Sequence, residues 1–265
     1  MELLECILTQ NDCYKAKQTI VPKGVMVHST GANNPELKRY VQPVDDTPDR
    51  DELLKRLGVN VYGNDWNHES RDACVHAFIG KLADGTVASV QTLPWTCRGW
   101  HAGTGTSGKS ANDTHISFEI CEDGLTDPDY FRLIYREAVE LTAYLCKQYG
   151  LDPLEDGVVI CHQEGYQRGV ACNHADVLHW FPNQGKSMDD FRTDVAAELV
   201  PVSEPEKEDD MTWYKTIDEV PEYYRPSVEK LVKAGALKGT EADALNVSED
   251  FCRIMTVLDR LGKLD

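Results

Sequence analysis

The chain has 265 residues, of which 41% are hydrophobic and 27% charged, as is typical of a soluble globular protein with one full-sized domain and a small one. Its formal net charge of −18 argues against nucleic acid or an anionic membrane surface as a partner. An enzyme this acidic that acted on an anionic polymer would need a dedicated binding surface to offset the repulsion.

Strand and helix signals alternate along the first three quarters of the chain. The β-rich runs GVMVHST, ACVHAFIG, TVASVQTL, HISFEICE and GVVICH predict strands, and ADG predicts a hairpin turn before the third of them. Helices are predicted over DELLKRLG, over PDYFRLIYREAVELTAYLCKQYG, which Gly150 ends, and over SMDDFRTDVAAELV, which Ser187 opens. This alternation predicts an α/β fold in which helices cover a central sheet.

An acidic stretch that contains two prolines, VPVSEPEKEDD, divides the chain and has the composition of an exposed linker. We therefore predict a large domain over residues 1–198, a linker over 199–211 and a small helical module over 212–265. Within the module, DEVPEYYRPSVEKLVKAG and NVSEDFCRIMTVLDRLG predict two helices, the second capped by Ser248.

The nine cysteines are odd in number and include no CxxC pair. This spacing favours small buried hydrophobic residues in a reducing compartment over a disulfide framework. The amino terminus lacks the pattern of a signal peptide, and no apolar run reaches the roughly 20 residues of a membrane span. We expect a chain made in the cytoplasm without a signal peptide or membrane insertion.

Two histidines stand where a predicted buried strand meets a polar segment. His28 follows GVMV, and His162 follows VVIC and precedes a polar loop. Strand ends are the usual place for ligands in α/β proteins, and a catalytic zinc site takes three ligands and keeps one open position. A lone histidine is more often an ordinary polar residue, but two such histidines beside a ligand-rich loop favour a metal site. By spacing, four loop residues could supply the third ligand: Cys172, His174, Asp176 and His179.

The chain resembles zinc-dependent N-acetylmuramoyl-L-alanine amidases of the type related to peptidoglycan recognition proteins, and among them phage endolysins. Four ordered motifs within residues 20–195 carry the resemblance: VMVHST, WHAG, NDTHISFEICE and CHQEGYQRGVACNHADVLHWFP. The resemblance implies a mixed central β-sheet flanked by helices, with a small helical C-terminal domain. It also implies a Zn²⁺ cofactor and hydrolysis of the amide bond between N-acetylmuramic acid and L-alanine in bacterial peptidoglycan.

The resemblance assigns roles to individual residues. His28, His162 and Asp176 match the zinc ligands, and Glu119 matches the carboxylate that transfers the proton. His174 stands where the family usually has a lysine, so we expect it to stabilise charge on the tetrahedral intermediate. The alternative is that His174 itself binds zinc and replaces Asp176.

The remaining implications concern the substrate and the tail. Trp100, His101 and Asn112 match positions that shape the substrate groove. The C-terminal module resembles the carboxy-terminal module of such endolysins, which leaves cell-wall binding and homodimerisation as two expectations. The encoding genome is expected to be a phage or prophage, with the enzyme released to the wall at lysis. A non-catalytic peptidoglycan-binding protein on the same fold is the alternative function. The replacement of the lysine by His174 is the one feature in its favour, whereas the complete set of candidate zinc ligands and Glu119 argue against it.

Overall fold

The computed structural model describes residues 1–200, 212–238 and 245–264. The chain divides into two compact units, Met1–Pro201 and Val202–Asp265. Apart from its first two residues, the predicted linker over 199–211 lies outside the described residues. The domain boundaries therefore stay a prediction.

The first unit is built on a six-stranded sheet with the order β1-β4-β3-β5-β2-β6. Every neighbouring pair of strands is parallel except β3 and β4, which form the predicted antiparallel hairpin. The mixed α/β fold is thereby confirmed. The strands are β1 (Leu3–Glu5), β2 (Gly24–Asn33), β3 (Ala77–Lys81), β4 (Val87–Gln91), β5 (His115–Glu122) and β6 (Val159–Cys161).

Local sequence signals explain where the main helix of this unit begins and ends. The Asp127 side chain accepts hydrogen bonds from the backbone N–H groups of Asp129 and Tyr130, Pro128 fits the first turn, and Gly150 ends the helix at a φ of 65°. The helices are α1 (Asp12–Lys15), α2 (Arg50–Leu57), α3 (Pro128–Tyr149), α4 (His162–Gln167) and α5 (Met188–Leu199). Single turns of 3-10 helix lie at Leu37–Arg39, Ala111–Asp113 and Phe181–Gln184.

The polar loop predicted directly after His162 is wrong, because helix α4 begins at that residue. Its first turn is closed by Glu164, whose carboxylate accepts a hydrogen bond from the backbone N–H of Cys161 at 3.0 Å. A cysteine is an unusual residue at the cap position before a helix, so the start of α4 carries only a weak sequence signal.

Alternation along the central strands decides which side chains face the main core. Val25 and Val27 of β2 and Phe118 of β5 pack with α3 and α5 in the largest hydrophobic cluster. Since successive residues of a strand point to opposite faces, His28 and Glu119 face the other side of the sheet. The helical layer thus covers one face and leaves these two polar side chains on the opposite one.

The second unit contains helices α6 (Arg225–Lys233) and α7 (Glu249–Arg260), a 3-10 turn at Ile217–Glu219 and two-residue strands β7 (Trp213–Tyr214) and β8 (Val247–Ser248). The prediction that the first helix spans DEVPEYY is wrong: it begins at Arg225, because Pro226 fits only a first turn. Ser248 caps α7 as predicted. In the parts of the chain that the structure describes, no helix is long and apolar enough to cross a membrane.

Candidate metal centre

Three adjacent parallel strands bring distant polar residues to one place. In the register between β2 and β5, His28 lies opposite Glu119. In the register between β2 and β6, Val27 lies opposite Cys161, so His162 follows at the level of His28. Residues that are far apart in sequence therefore form one row near the carboxyl ends of the strands, where α/β proteins bind their ligands.

Three ligand-type atoms converge at this row. The Nδ1 atom of His28 lies 3.0 Å from Oδ2 of Asp176 and 3.1 Å from Nδ1 of His162. The third side of this triangle, from His162 Nδ1 to Asp176 Oδ2, measures 3.3 Å. Tetrahedral zinc with bonds of about 2.0–2.1 Å holds its ligand atoms roughly 3.3 Å apart, which is close to these distances.

The protonation pattern around His28 leaves a lone pair pointing into the triangle. The Nε2 atom of His101 lies 3.3 Å from the carbonyl oxygen of His115 and donates to it, so the Nδ1 atom of His101 is an acceptor. His28 therefore donates through its Nε2, 3.0 Å from that acceptor. Burial lowers the pKa of His28, which keeps the ring neutral and its Nδ1 unprotonated.

Asp176 contributes a second acceptor to the same point. The carboxyl group of an aspartate is ionised at neutral pH, so Oδ2 of Asp176 has no proton to donate. A carboxylate oxygen and an unprotonated ring nitrogen thus face each other at 3.0 Å. Two acceptors at this distance repel each other unless a cation lies between them, so the residues present fit a bound metal ion.

Glu119 lies beside this cluster as a half-buried carboxylate. Its Oε2 is buried and has no hydrogen-bond partner among the described residues. Burial raises the pKa of Glu119 well above its ordinary value, and the charges of Asp176 and Glu122 raise it further. A carboxyl group with a raised pKa is suited to taking up and releasing a proton near neutral pH.

His174 lies outside the triangle. It is exposed, its ring centroid lies 4.7 Å from that of His162, and its Nδ1 lies 3.4 Å from Sγ of Cys172. These contacts leave His174 at the solvent-facing rim beside the His162 ring. That His174 stabilises charge on the tetrahedral intermediate stays a prediction.

The three residues that were predicted to shape the substrate groove make contacts within the protein that hold neighbouring groups in position. His101 contacts His28, as described, and the side-chain oxygen of Asn112 accepts hydrogen bonds from the backbone N–H groups of His101 and Ala102, each at 2.8 Å. Trp100 forms a backbone bridge with Cys74. Their part in substrate binding stays a prediction.

One contact beside the site, made by Glu122, was not predicted from the sequence. The buried Glu122 accepts hydrogen bonds through Oε1 from the backbone N–H of Gly31 at 3.1 Å and from Nε2 of His179 at 2.8 Å. It joins the end of β5 to β2 and to the segment that carries Asp176. Neither HISFEICE nor VLHWF carries a local signal for this pairing, because the partners are 57 residues apart.

The chain matches one protein-family model and is similar to several solved structures. Residues 17–177 match the family model of N-acetylmuramoyl-L-alanine amidase. No curated protein sequence matches the chain. The structure is similar to that of the Staphylococcus aureus hydrolase AmiA in complex with its ligand. The two sequences are 21% identical, the alignment covers 75% of this chain and 83% of that chain, and the TM-score is 0.48.

Two further solved structures are similar over most of their own length. The PlyG catalytic domain has 20% identity, with 77% of this chain and 99% of that chain covered and a TM-score of 0.47. The N-acetylmuramoyl-L-alanine amidase LysC from Clostridium intestinale URNW has 16% identity, with 70% of this chain and 94% of that chain covered and a TM-score of 0.39.

Proposed function

Because the chain belongs to the N-acetylmuramoyl-L-alanine amidase family, whose model spans residues 17–177 of its 265, we propose that it is a zinc-dependent peptidoglycan hydrolase. The bond cleaved is the amide between N-acetylmuramic acid and L-alanine. One observation carries the proposal: His28 Nδ1, His162 Nδ1 and Asp176 Oδ2 converge within 3.3 Å of one another. These three side chains would hold the zinc ion.

When bound, zinc supplies a Lewis acid for the amide carbonyl and lowers the pKa of a water molecule at its open position to about 7. The protein supplies the proton transfer. Glu119 takes the proton from the attacking water and delivers it to the departing nitrogen of L-alanine. Its buried oxygen, which has no partner among the described residues, favours uptake of that proton, because protonation removes a charge that is shielded from solvent and close to the carboxylates of Asp176 and Glu122.

The other polar groups hold the geometry or stabilise charge. The Nδ1 atom of His101 accepts a hydrogen bond from the Nε2–H group of His28, which fixes the tautomer in which Nδ1 of His28 is free to bind the ion. His174 at the rim donates a hydrogen bond to the oxyanion that forms on the former carbonyl oxygen. No covalent intermediate is required, so none of the cysteines needs to act as a nucleophile.

Metal analysis combined with product analysis tests this proposal. We expect about one zinc per chain, with Asp176→Ala losing the metal and His174→Ala keeping it but losing most activity. Mass spectrometry of digested cell walls should find stem peptides with a free amino-terminal L-alanine. If His174→Ala loses zinc instead, the third ligand is His174. A metal-free, inactive wild type that still binds purified walls would favour the non-catalytic alternative.

For the C-terminal unit we propose either wall binding or pairing of two copies. Ile254 and Val257 on α7, and Leu261 directly after its end, are each more than half exposed, which supports an apolar contact with another surface. Two aromatic side chains of this unit, Trp213 and Tyr223, are exposed and available to stack on sugar rings, whereas Tyr224 belongs to the core of this unit. Sedimentation of the full chain with and without wall fragments distinguishes the two roles.

A further inference from the structure

A second set of metal-ligand atoms lies on the opposite side of the His162 ring. The Sγ atom of Cys172 is 3.5 Å from Nε2 of His162 and 3.4 Å from Nδ1 of His174. The three atoms lie within 4.8 Å of one another. None of the three belongs to the first triangle, which uses the other ring nitrogen of His162.

Cys172 differs from the other cysteines of the chain. The remaining eight are buried, whereas Cys172 is partly exposed and stands at the rim with His174. Its backbone N–H donates to the carbonyl oxygen of Ala102 at 2.8 Å. Gly103 has a φ of 63°, and a side-chain carbon at this position would lie 3.1 Å from the Cys172 sulfur. The thiol is therefore held in position and still reachable from solvent.

The distances match a tetrahedral centre with mixed ligands. Bonds of about 2.3 Å to sulfur and 2.0 Å to nitrogen hold the two ligand atoms roughly 3.5 Å apart, close to both sulfur–nitrogen distances here. Thiolate and imidazole ligands prefer soft or borderline cations over magnesium and calcium. We propose that His162 Nε2, Cys172 Sγ and His174 Nδ1 form a second, weaker site for zinc or cadmium, and that its occupancy inhibits the enzyme.

The proton balance explains why this site is weaker than the first. Binding releases two protons to solvent, one from the Cys172 thiol and one from Nε2 of His162, which then binds one cation through each ring nitrogen. His174 contributes the lone pair of its Nδ1 atom. Removing a proton from an imidazole that already binds a cation has a free-energy cost that the first site does not bear.

Inhibition follows from the residues that the second ion engages, and this step rests on the proposed function. A cation bound to His174 removes the donor assigned to the oxyanion. It also changes the charge and basicity of His162, a ligand of the first ion. Excess zinc would therefore slow hydrolysis even though the first site stays filled.

Cadmium titration of the zinc-loaded full-length enzyme tests the proposal. A cadmium–thiolate bond absorbs in the ultraviolet through charge transfer, and the first site contains no sulfur, so the absorbance reports the second site alone. We expect wild type to bind a second equivalent with this absorbance, and Cys172→Ser to bind none. His174→Ala should require at least about tenfold more cadmium, as expected when a metal site loses a partner.

Activity provides the second readout, normalised to each variant without added metal. Excess zinc should inhibit wild type, and the half-inhibiting concentration should rise at least about tenfold in Cys172→Ser. The proposal is overturned if wild type gives no thiolate absorbance, or if Cys172→Ser binds the second equivalent as wild type does. Asp176→Ala separates the two proposals, because it should lose the first ion but keep the cadmium–thiolate absorbance.

Discussion

Two glutamates three residues apart on β5 should respond in opposite ways to the same substitution. Glu119 has a buried oxygen without a partner among the described residues, whereas Glu122 accepts hydrogen bonds from Gly31 and His179. Removing an uncompensated buried charge in Glu119→Gln should raise the free energy of unfolding by about 1–2 kcal/mol. Removing the charge of a well-paired carboxylate in Glu122→Gln should lower it by about 1 kcal/mol.

The pH dependence follows from the direction of the pKa shift. The folded-state pKa of Glu119 lies above its ordinary value of 4.5, so its penalty is absent below pH 4.5 and grows as pH rises towards the folded-state pKa. The gain in Glu119→Gln should therefore be seen at pH 8 and vanish at pH 4. Urea unfolding of the chelator-treated protein measures it, since a bound cation would compensate the charge.

The two variants should rank in the opposite order when hydrolysis is measured in place of stability. Glu119→Gln should lose about 10²–10⁴-fold in hydrolysis, the usual contribution of a general acid–base group, while Glu122→Gln should keep most of it. The reasoning is refuted if Glu119→Gln is less stable than wild type at pH 8, because the buried Glu119 carboxylate would then not destabilise the folded state.

Three further outcomes are expected. His101→Phe removes the acceptor for the Nε2–H group of His28 and should weaken zinc binding about 10–100-fold, measured by competition with a chelator. His101→Gln, which can restore an acceptor, should weaken zinc binding less. Burial lowers the pKa of His76 to about 4 from 6.5, so the unfolded chain gains a proton first as pH falls. Stability should decline by about 3 kcal/mol from pH 6.5 to 4 through this group, and a His76→Gln variant whose unfolding curve keeps the same pH slope would contradict this. A side-chain carbon at Gly105 would overlap the backbone of Gly169. Gly105→Ala should therefore lower the free energy of unfolding by about 1–3 kcal/mol and the thermal unfolding midpoint by several degrees. An unchanged midpoint would argue against this close approach.

Strong local patterns made much of the fold predictable. HISFEICE forms β5 over its full length, and the helix that Gly150 ends was predicted with its cap. Strand β1 was not predicted, because three residues at the edge of a sheet carry no periodicity. The order of strands depends on tertiary packing, which local patterns do not contain.

The site was predictable only in part, and for a physical reason. The strand-end positions of His28 and His162 could be inferred from their flanking apolar runs. The choice among Cys172, His174, Asp176 and His179 could not, because it depends on how the loop folds back across the sheet. The structure brings the Asp176 carboxylate to the Nδ1 atoms and the Cys172 thiol to the far nitrogen of His162.

The long sequence separation of the three converging atoms has a consequence for biosynthesis. His28 is 134 residues from His162 and 148 from Asp176. Strand β2 lies between β5 and β6, both of which leave the ribosome much later. A nascent chain that has released only His28 has no pocket for an ion. On the proposed function, the metal ion would therefore bind only after almost the whole first unit has been translated and its slow, non-local strand pairing is complete.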